Sequence, residues 1–282
     1  MSRAARRPAR VRMPYVEQLA QRLSPRDWSI ISTIYRLRLI SGPQLERLHF
    51  HELTGRSRSV KRSQILKRLA DIGVIAQLDR LVGSANRGSA PQCYALDTAG
   101  QRLVQLRANR ESPGTHVRRP RVPGDRFIAH TLAVSELYVS LVELSRLGGF
   151  TLAEFQAEAD AYRPDGVRGW IKPDAFVRME RGETADYWWY EADMATEDLL
   201  TTIRQKLLTY VHFVQRGQLG PDDVMPRVLI GAVTSKRRTA IQSVVDELPA
   251  PADVLFLVAD MAVAAQIMAD EITREEESVA DA

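Results

Sequence analysis

Cysteine is nearly absent from this sequence: Cys93 is the only one in 282 residues. One thiol can neither close an internal disulfide nor furnish a zinc cluster, which excludes a disulfide-stapled secreted scaffold and makes a reducing cytoplasm the expected compartment. Long apolar runs are missing as well. No stretch approaches the roughly 20 residues that a membrane helix needs, so no membrane partner is expected. The first residues, MSRAARRPARVR, are basic with no apolar segment behind them, unlike a secretion signal. No internal repeat is visible, and nothing calls for an organic cofactor. At 45% hydrophobic composition the chain can bury a core, and its length favours two modest domains.

Acidic residues are scarce in one half only. Residues 1–126 hold 25 Lys and Arg against 9 Asp and Glu, whereas 127–282 hold 14 against 26, so a net charge of +4 hides halves of about +16 and −12. A segregated positive half suits a polyanion, whose condensed counterions are released as Lys and Arg replace them. Double-stranded DNA is the partner this predicts. Arg3, Arg6, Arg7, Arg10 and Arg12 make residues 1–23 a basic arm.

Ser24-Pro25 is a helix-start signal, followed by Trp28, Ile31, Ile34 and Tyr35 at helical spacing. Ser41-Gly42-Pro43 restarts a short helix to Phe50, and a third runs from Ser57 to Ile72, where Gly73 supplies the stop. VIAQLDR and QCYALD then read as two strands of a hairpin with a polar tip, LVGSANRGSAP, and residues 98–110 as a closing helix. Three helices and a hairpin make residues 24–110 a winged helix-turn-helix. The Pro-, Gly- and Arg-containing run 111–125 reads as a linker.

On the third helix Ile65, Leu66, Leu69 and Ile72 share one side, with Arg58 and Arg62 falling toward it. Arg56, Val60, Ser63, Gln64 and Lys67 take the other, with Lys61 and Arg68 at the flank. Gln pairs with adenine, Ser with either base edge, and Arg or Lys with guanine or phosphate, so this face has the chemistry of groove reading. Residues 54–70 carry six bases and no acid. Arg87, at the hairpin tip, is a further contact candidate. The same winged-helix pattern also serves in transcriptional repressors and as a protein-docking module.

The second half reads as helix (126–147), three strands (FTLAEFQAEA, IKPDAFVRM, YWWYEAD), helix (196–215), strand (RVLIGAV), helix (236–248), strand (DVLFLVA) and an acidic helix with a tail at 271–282. The expected fold class is α/β, with a mixed sheet covered by helices on both faces over residues 126–270. Glu191 and Asp193, two apart on a strand, share a face. Asp174 on a neighbouring strand would complete three carboxylates of the kind that hold Mg2+ or Mn2+ for phosphodiester hydrolysis. Lys206 and Tyr210 lie on the stripe Leu199, Ile203, Lys206, Tyr210, Val214. That lysine pairs with the carboxylates in a structural reading and positions water in a catalytic one. His130, on the apolar stripe of the first helix, is a minor ligand candidate, and Trp188 and Trp189 read as a core and a surface residue of the sheet.

LKRLADIGVI, His130, IKPDAFV, YEADMATED and QKLLTYVHF, in that order, resemble the replication-relaxation family of plasmids and other mobile elements. The second half also resembles the PD-(D/E)XK, restriction-endonuclease-like αβββαβ core, its motif falling on Pro173-Asp174 and Glu191-Ala192-Asp193. Asp193 stands where that superfamily has lysine, and Lys206 sits at a helix position resembling that of RecB-type nucleases. The resemblance implies a DNA-binding protein acting in replication or transfer, beside a relaxase or replication initiator. Active metal-dependent endonuclease and repressor remain the alternatives. A homodimer would suit a palindromic site.

Overall fold

A computed structural model describes residues 11–78, 91–108 and 124–280, with side chains to residue 274. The basic arm through residue 10, the hairpin tip with Arg87, and linker residues 109–123 lie outside the described residues. In chain order the elements are α1 (Met13–Arg22), α2 (Pro25–Leu37), β1 (Ile40–Ser41), α3 (Gly42–His49), α4 (Gly55–Asp71), β2 (Ile75–Leu78), β3 (Cys93–Leu96) and α5 (Thr98–Arg107). Then follow α6 (Asp125–Ser145), β4 (Thr151–Ala157), α7 (Glu158–Ala161), β5 (Arg163–Pro164), β6 (Trp170–Ile171), β7 (Ala175–Arg181) and β8 (Thr184–Asp193). A π-helical turn (Leu199–Ile203) leads into α8 (Arg204–Gln215), and β9 (Arg227–Ala232), α9 (Ser235–Asp246), α10 (Ala252–Leu255), β10 (Phe256–Asp260) and α11 (Ala264–Ala280) complete the chain. Two compact units divide at Leu132/Ala133, within α6.

In the N-terminal unit Ser24 and Asp27 form a reciprocal capping box at the start of α2, and Ser41 and Gln44 form another at α3. Ile30, Ile31, Ile34 and Leu37 of α2 are buried, as are Leu45 and Leu48 of α3 and Leu66 and Leu69 of α4. Tyr35, expected on the apolar stripe, points out and is exposed. Gly73, at φ +70, makes the left-handed stop that turns the chain from α4 into β2. β2 and β1 flank β3, both antiparallel, in a three-stranded sheet. The structure corrects the reading of residues 1–23 as an arm: residues 13–22 form α1, because Val16 and Leu19 are buried and the Tyr15 hydroxyl donates to the Ile72 carbonyl at 3.0 Å.

The C-terminal unit is α/β, built on a mixed five-stranded sheet in the order β10-β9-β8-β7-β4. β4-β7 and β7-β8 pair antiparallel; β8-β9 and β9-β10 pair parallel. One face packs on α8 and α9, where the Trp189 ring lies 5.5 Å from Tyr210 and 5.6 Å from Phe213. The other face carries α11, with Met268 and Ile272 buried, and the C-terminal part of α6, where Tyr138 meets Phe155 edge-on at 5.0 Å. Because both faces are covered, Trp188 and Trp189 are both fully buried, which overturns the reading of one as a surface residue. A second correction concerns α6. Over an 18-residue window its mean hydropathy is 1.4, so among the described residues this one helix is long and apolar enough to cross a membrane. Val134, Leu137, Val139 and Leu141 spend that apolar character in the protein core.

Candidate functional site

On α4 the sequence partition and the burial agree except that Ile65 and Ile72, expected on the inward side, are only half-buried. Arg56, Val60, Lys61, Ser63, Gln64, Lys67 and Arg68 are exposed, while Leu66 and Leu69 face inward. Arg62 and Arg58 bend back to Glu46 of α3, at 2.8 and 3.5 Å, so those two cations fasten α4 to α3. Arg68 is paired with Asp27, a carboxylate with no exposure that also accepts from the backbone and hydroxyl of Ser24. A buried charge needs such a partner, so Arg68 is committed to the fold as well as to the surface. Lys67 reaches Asp71 one turn on, at 2.6 Å. The side chains of Arg56, Lys61 and Gln64 make no polar contact with another described side chain. A groove lined by Ser24, Arg26, Lys61, Gln64 and Arg68 runs beside this face.

In the C-terminal unit the acidic candidates meet around the end of β8. Asp174 lies just ahead of β7; its N–H donates to the Tyr190 carbonyl at 3.0 Å, and its carboxylate accepts from the Ala192 N–H at 2.7 Å. A backbone bond on one side of Glu191 and a carboxylate bond on the other thus fix Asp174 beside it. Glu191 is 4% exposed. The Lys206 ammonium contacts one of its oxygens, and the Tyr210 hydroxyl donates to the other. The π-helical turn, capped by Asp198 accepting from the Thr201 N–H at 2.8 Å, sets the phase of α8. With that phase Ile203, Leu207, Tyr210 and Val211 go into the core and Lys206 falls opposite β8. π-turns are frequent where a helix must aim a functional side chain.

Burial pushes the Glu191 carboxyl up from 4.5 to about 8, Lys206 pulling it back and Asp174 adding to the rise. For Lys206, burial works against the charge, but the Glu191 and Asp174 carboxylates outweigh it and hold the ammonium above its ordinary value. Lys206 therefore stays positive and Glu191 is the member of the pair that titrates. Burial and the Glu191 charge keep the Tyr210 phenol protonated. Tyr190, on the other face, is also raised, chiefly by burial. Its phenol lies over Gly231, where a Cβ would sit 2.4 Å from the hydroxyl oxygen.

Asp193 shares the Glu191 face but is held by a different partner. Arg237 of α9 grips its carboxylate in a fork, Nε at 2.6 Å and the second guanidinium nitrogen at 2.9 Å, and donates also to the Glu197 carbonyl at 2.8 Å. Sequence reasoning missed Arg237; the signal was Thr234-Ser235, a cap start that places Arg237 in the first turn after β9. It also missed Asp27 and Asp186. Asp186 is buried at the other end of β8, accepting from the Trp188 indole at 2.7 Å and pairing with Arg227 at 3.0 Å. The structure thus gathers Asp174, Glu191, Lys206 and Tyr210 and gives Asp193 to Arg237. His130 is half-buried on the part of α6 that belongs to the N-terminal unit.

Comparison with curated proteins and with solved structures returned no match. A family model described as replication-relaxation matches residues 31–228, which take in α4, Asp174, Glu191, Asp193, Lys206 and Tyr210. That span is well over half of the sequence, and the chain belongs to the replication-relaxation family.

Proposed function

We propose that this chain is a DNA-binding protein of a plasmid or other mobile element, acting in replication or DNA relaxation. In this reading the N-terminal unit is a winged helix-turn-helix and the C-terminal unit a PD-(D/E)XK nuclease-like body. The observation that carries it is the outer face of α4. Arg56, Lys61, Ser63 and Gln64 are solvent-facing, three of them with no side-chain partner among the described residues, on a helix whose residues 54–70 contain no acid. α4 lies in the major groove, Gln64 and Ser63 read base edges, and Lys61 and Arg56 meet phosphates. Binding of the full chain to labelled duplex DNA over a range of salt tests it. Affinity should fall steeply with salt, and a Lys61→Ala change should lower the slope of log K against log salt by about 0.9. Salt-insensitive or absent binding overturns the reading.

A second reading, metal-dependent deoxyribonuclease, is favoured by the convergence of Asp174, Glu191 and Lys206. The donors suit a hard divalent ion: two buried carboxylates, one on β8 and one just ahead of the neighbouring β7, the charge of one already raising the other. Asp174 and Glu191 would hold Mg2+ or Mn2+, which when bound supplies Lewis-acid polarisation of a phosphate. Lys206, fixed positive by Glu191 and Asp174, steadies negative charge beside that phosphate, and Tyr210 orients Glu191. Asp193, neutralised by Arg237, supports the strand end. Incubation with supercoiled plasmid and either ion decides between the readings: nicking lost in both Asp174→Ala and Lys206→Ala supports the nuclease, and intact DNA binding without nicking removes it. The cytoplasm remains the compartment proposed.

A further inference from the structure

Between α7 and β7 the chain makes a small hairpin, β5 pairing antiparallel with β6 (Arg163 with Ile171, Pro164 with Trp170). Strand alternation divides its residues. Ile171 is buried in the core under the sheet, while Trp170 is 54% exposed and Lys172, two residues on, is exposed with it. The Lys172 ammonium stands 5.8 Å from the centre of the Tyr162 ring. The outer side of the hairpin is therefore an indole, a proline and a lysine over a second aromatic ring.

The tip is held firmly. The Asp165 N–H donates to the Gly169 carbonyl at 3.0 Å, and the Asp165 carboxylate accepts from the N–H groups of Val167 and Gly169, both at 2.9 Å. These bonds keep the Asp165 carboxyl below the usual carboxylate range. Arg216, at the end of α8, donates to the Asp165 carbonyl at 3.0 Å. Arg168 at this tip is exposed. An exposed indole on a fixed hairpin costs little entropy when it is covered, which is the condition for a stacking anchor. The half in which it sits carries 26 acids against 14 bases, so Arg168 and Lys172 are local exceptions to its charge. The hairpin leads directly into Asp174, four residues after Trp170 and so at most about 14 Å away along the chain.

We propose that this hairpin is a stacking platform for an unpaired base of single-stranded DNA, holding a strand beside the Asp174–Glu191 site. The inference rests on the reading of the chain as a DNA-handling protein and specifies the substrate class at its second unit. Every base offers a π-face, so an indole with adjacent cations binds single strands with little sequence preference, the cations following the phosphates. Duplex DNA keeps its bases stacked on one another and offers Trp170 nothing to stack on.

Fluorescence anisotropy of the full chain with labelled oligo-dT and with a labelled random-sequence duplex tests this. Trp170→Ala should weaken oligo-dT binding by roughly five- to a hundredfold, the range one stacked base supplies, and leave duplex affinity and thermal melting unchanged. Trp170→Phe should keep most of the affinity but lose the quenching of tryptophan emission that oligo-dT causes in the wild type. Lys172→Ala should lower the salt slope for oligo-dT by about 0.7. Oligo-dT binding that is absent in the wild type, or equal in Trp170→Ala, overturns the proposal. So does a wild-type dimer that Trp170→Ala converts to monomer, since the indole would then serve self-association. Trp170-dependent binding of oligo-dT without any duplex binding would uphold the platform and overturn the duplex-docking role of α4, so the two readings fail separately.

Discussion

The Lys206 ammonium meets the Glu191 carboxylate from the first turns of α8, and one turn on the Tyr210 hydroxyl closes the carboxylate's other oxygen. The lysine side chain keeps 34% of its exposure and the glutamate 5%, so the pair spans from solvent into the core. Removing the lysine strands a buried carboxylate, whereas removing the charge of the glutamate leaves a lysine that can reach water. Lys206→Met should therefore destabilise the fold by up to about 3 kcal/mol, and Glu191→Gln by clearly less. Urea unfolding at pH 9, above the Glu191 value of about 8 so that the carboxyl is ionised, measures both, and equal losses would refute the asymmetry.

The same pair sets a pH dependence. Glu191 has a folded value of about 8 against an ordinary 4.5, so between those values the folded state binds a proton that the unfolded chain has released. Stability then falls as pH rises from about 5 through 8. Glu191→Gln carries no titrating group and should flatten that part of the curve. Urea midpoints of wild type and variant across this range check the sign; a wild type that gains stability relative to the variant on going from acid to pH 8 would contradict it.

Arg237 and Asp193 make the opposite case, a forked pair whose carboxylate is buried. A lysine supplies a point charge and cannot repeat two parallel bonds, so Arg237→Lys should restore little of what Arg237→Ala loses, about 1–3 kcal/mol. A double-mutant cycle with Asp193→Asn isolates the pair: the double variant should be more stable than the sum of the single losses implies.

How much of this was legible beforehand depended on whether the signal was local. Ser24-Pro25, Ser41-Gly42-Pro43 and Gly73 place α2, α3 and the end of α4 because caps and left-handed stops are written within four residues. The exposed and buried sides of α4 followed from its periodicity. Asp174 and Glu191 were visible as neighbours because antiparallel strands joined by a short turn put them side by side. Partners brought in by later elements were not visible. Asp193 had the parity to join Glu191, but its choice of Arg237 depends on α9 following β9 in parallel beside β8. α1 was lost in a run of arginines because its two buried residues, Val16 and Leu19, make too short a stripe to outweigh the charge around them.

Asp27 shows a similar hidden dependence in the N-terminal unit. It caps α2 through Ser24 and holds Arg68 of α4, all from a fully buried position. Asp27→Ala removes only the N3 half of the capping box, since the Ser24 hydroxyl still accepts from the backbone N–H of residue 27, whereas Arg68→Ala strands a fully buried carboxylate and should cost more stability. Thermal melting of the two variants orders them. A larger loss for Asp27→Ala would show that the lost bonds to Ser24, rather than the stranded charge, govern this corner.

If Asp174 and Glu191 hold a divalent ion, the ion competes with the proton that burial keeps on Glu191. Metal binding then releases that proton, and Mn2+ should stabilise the fold more at pH 8.5 than at pH 6.5, because less of the binding free energy is used to expel it. At a concentration about 100 times the dissociation constant the gain is about 2.7 kcal/mol, enough to read as a shift in melting temperature. Asp174→Asn should abolish the shift, and Glu191→Gln should remove both the shift and its pH dependence. Arg237→Ala, which frees the Asp193 carboxylate on the same face, should leave it intact. A shift of the same size in wild type and Asp174→Asn would place the ion elsewhere and leave the carboxylates with a purely structural part to play.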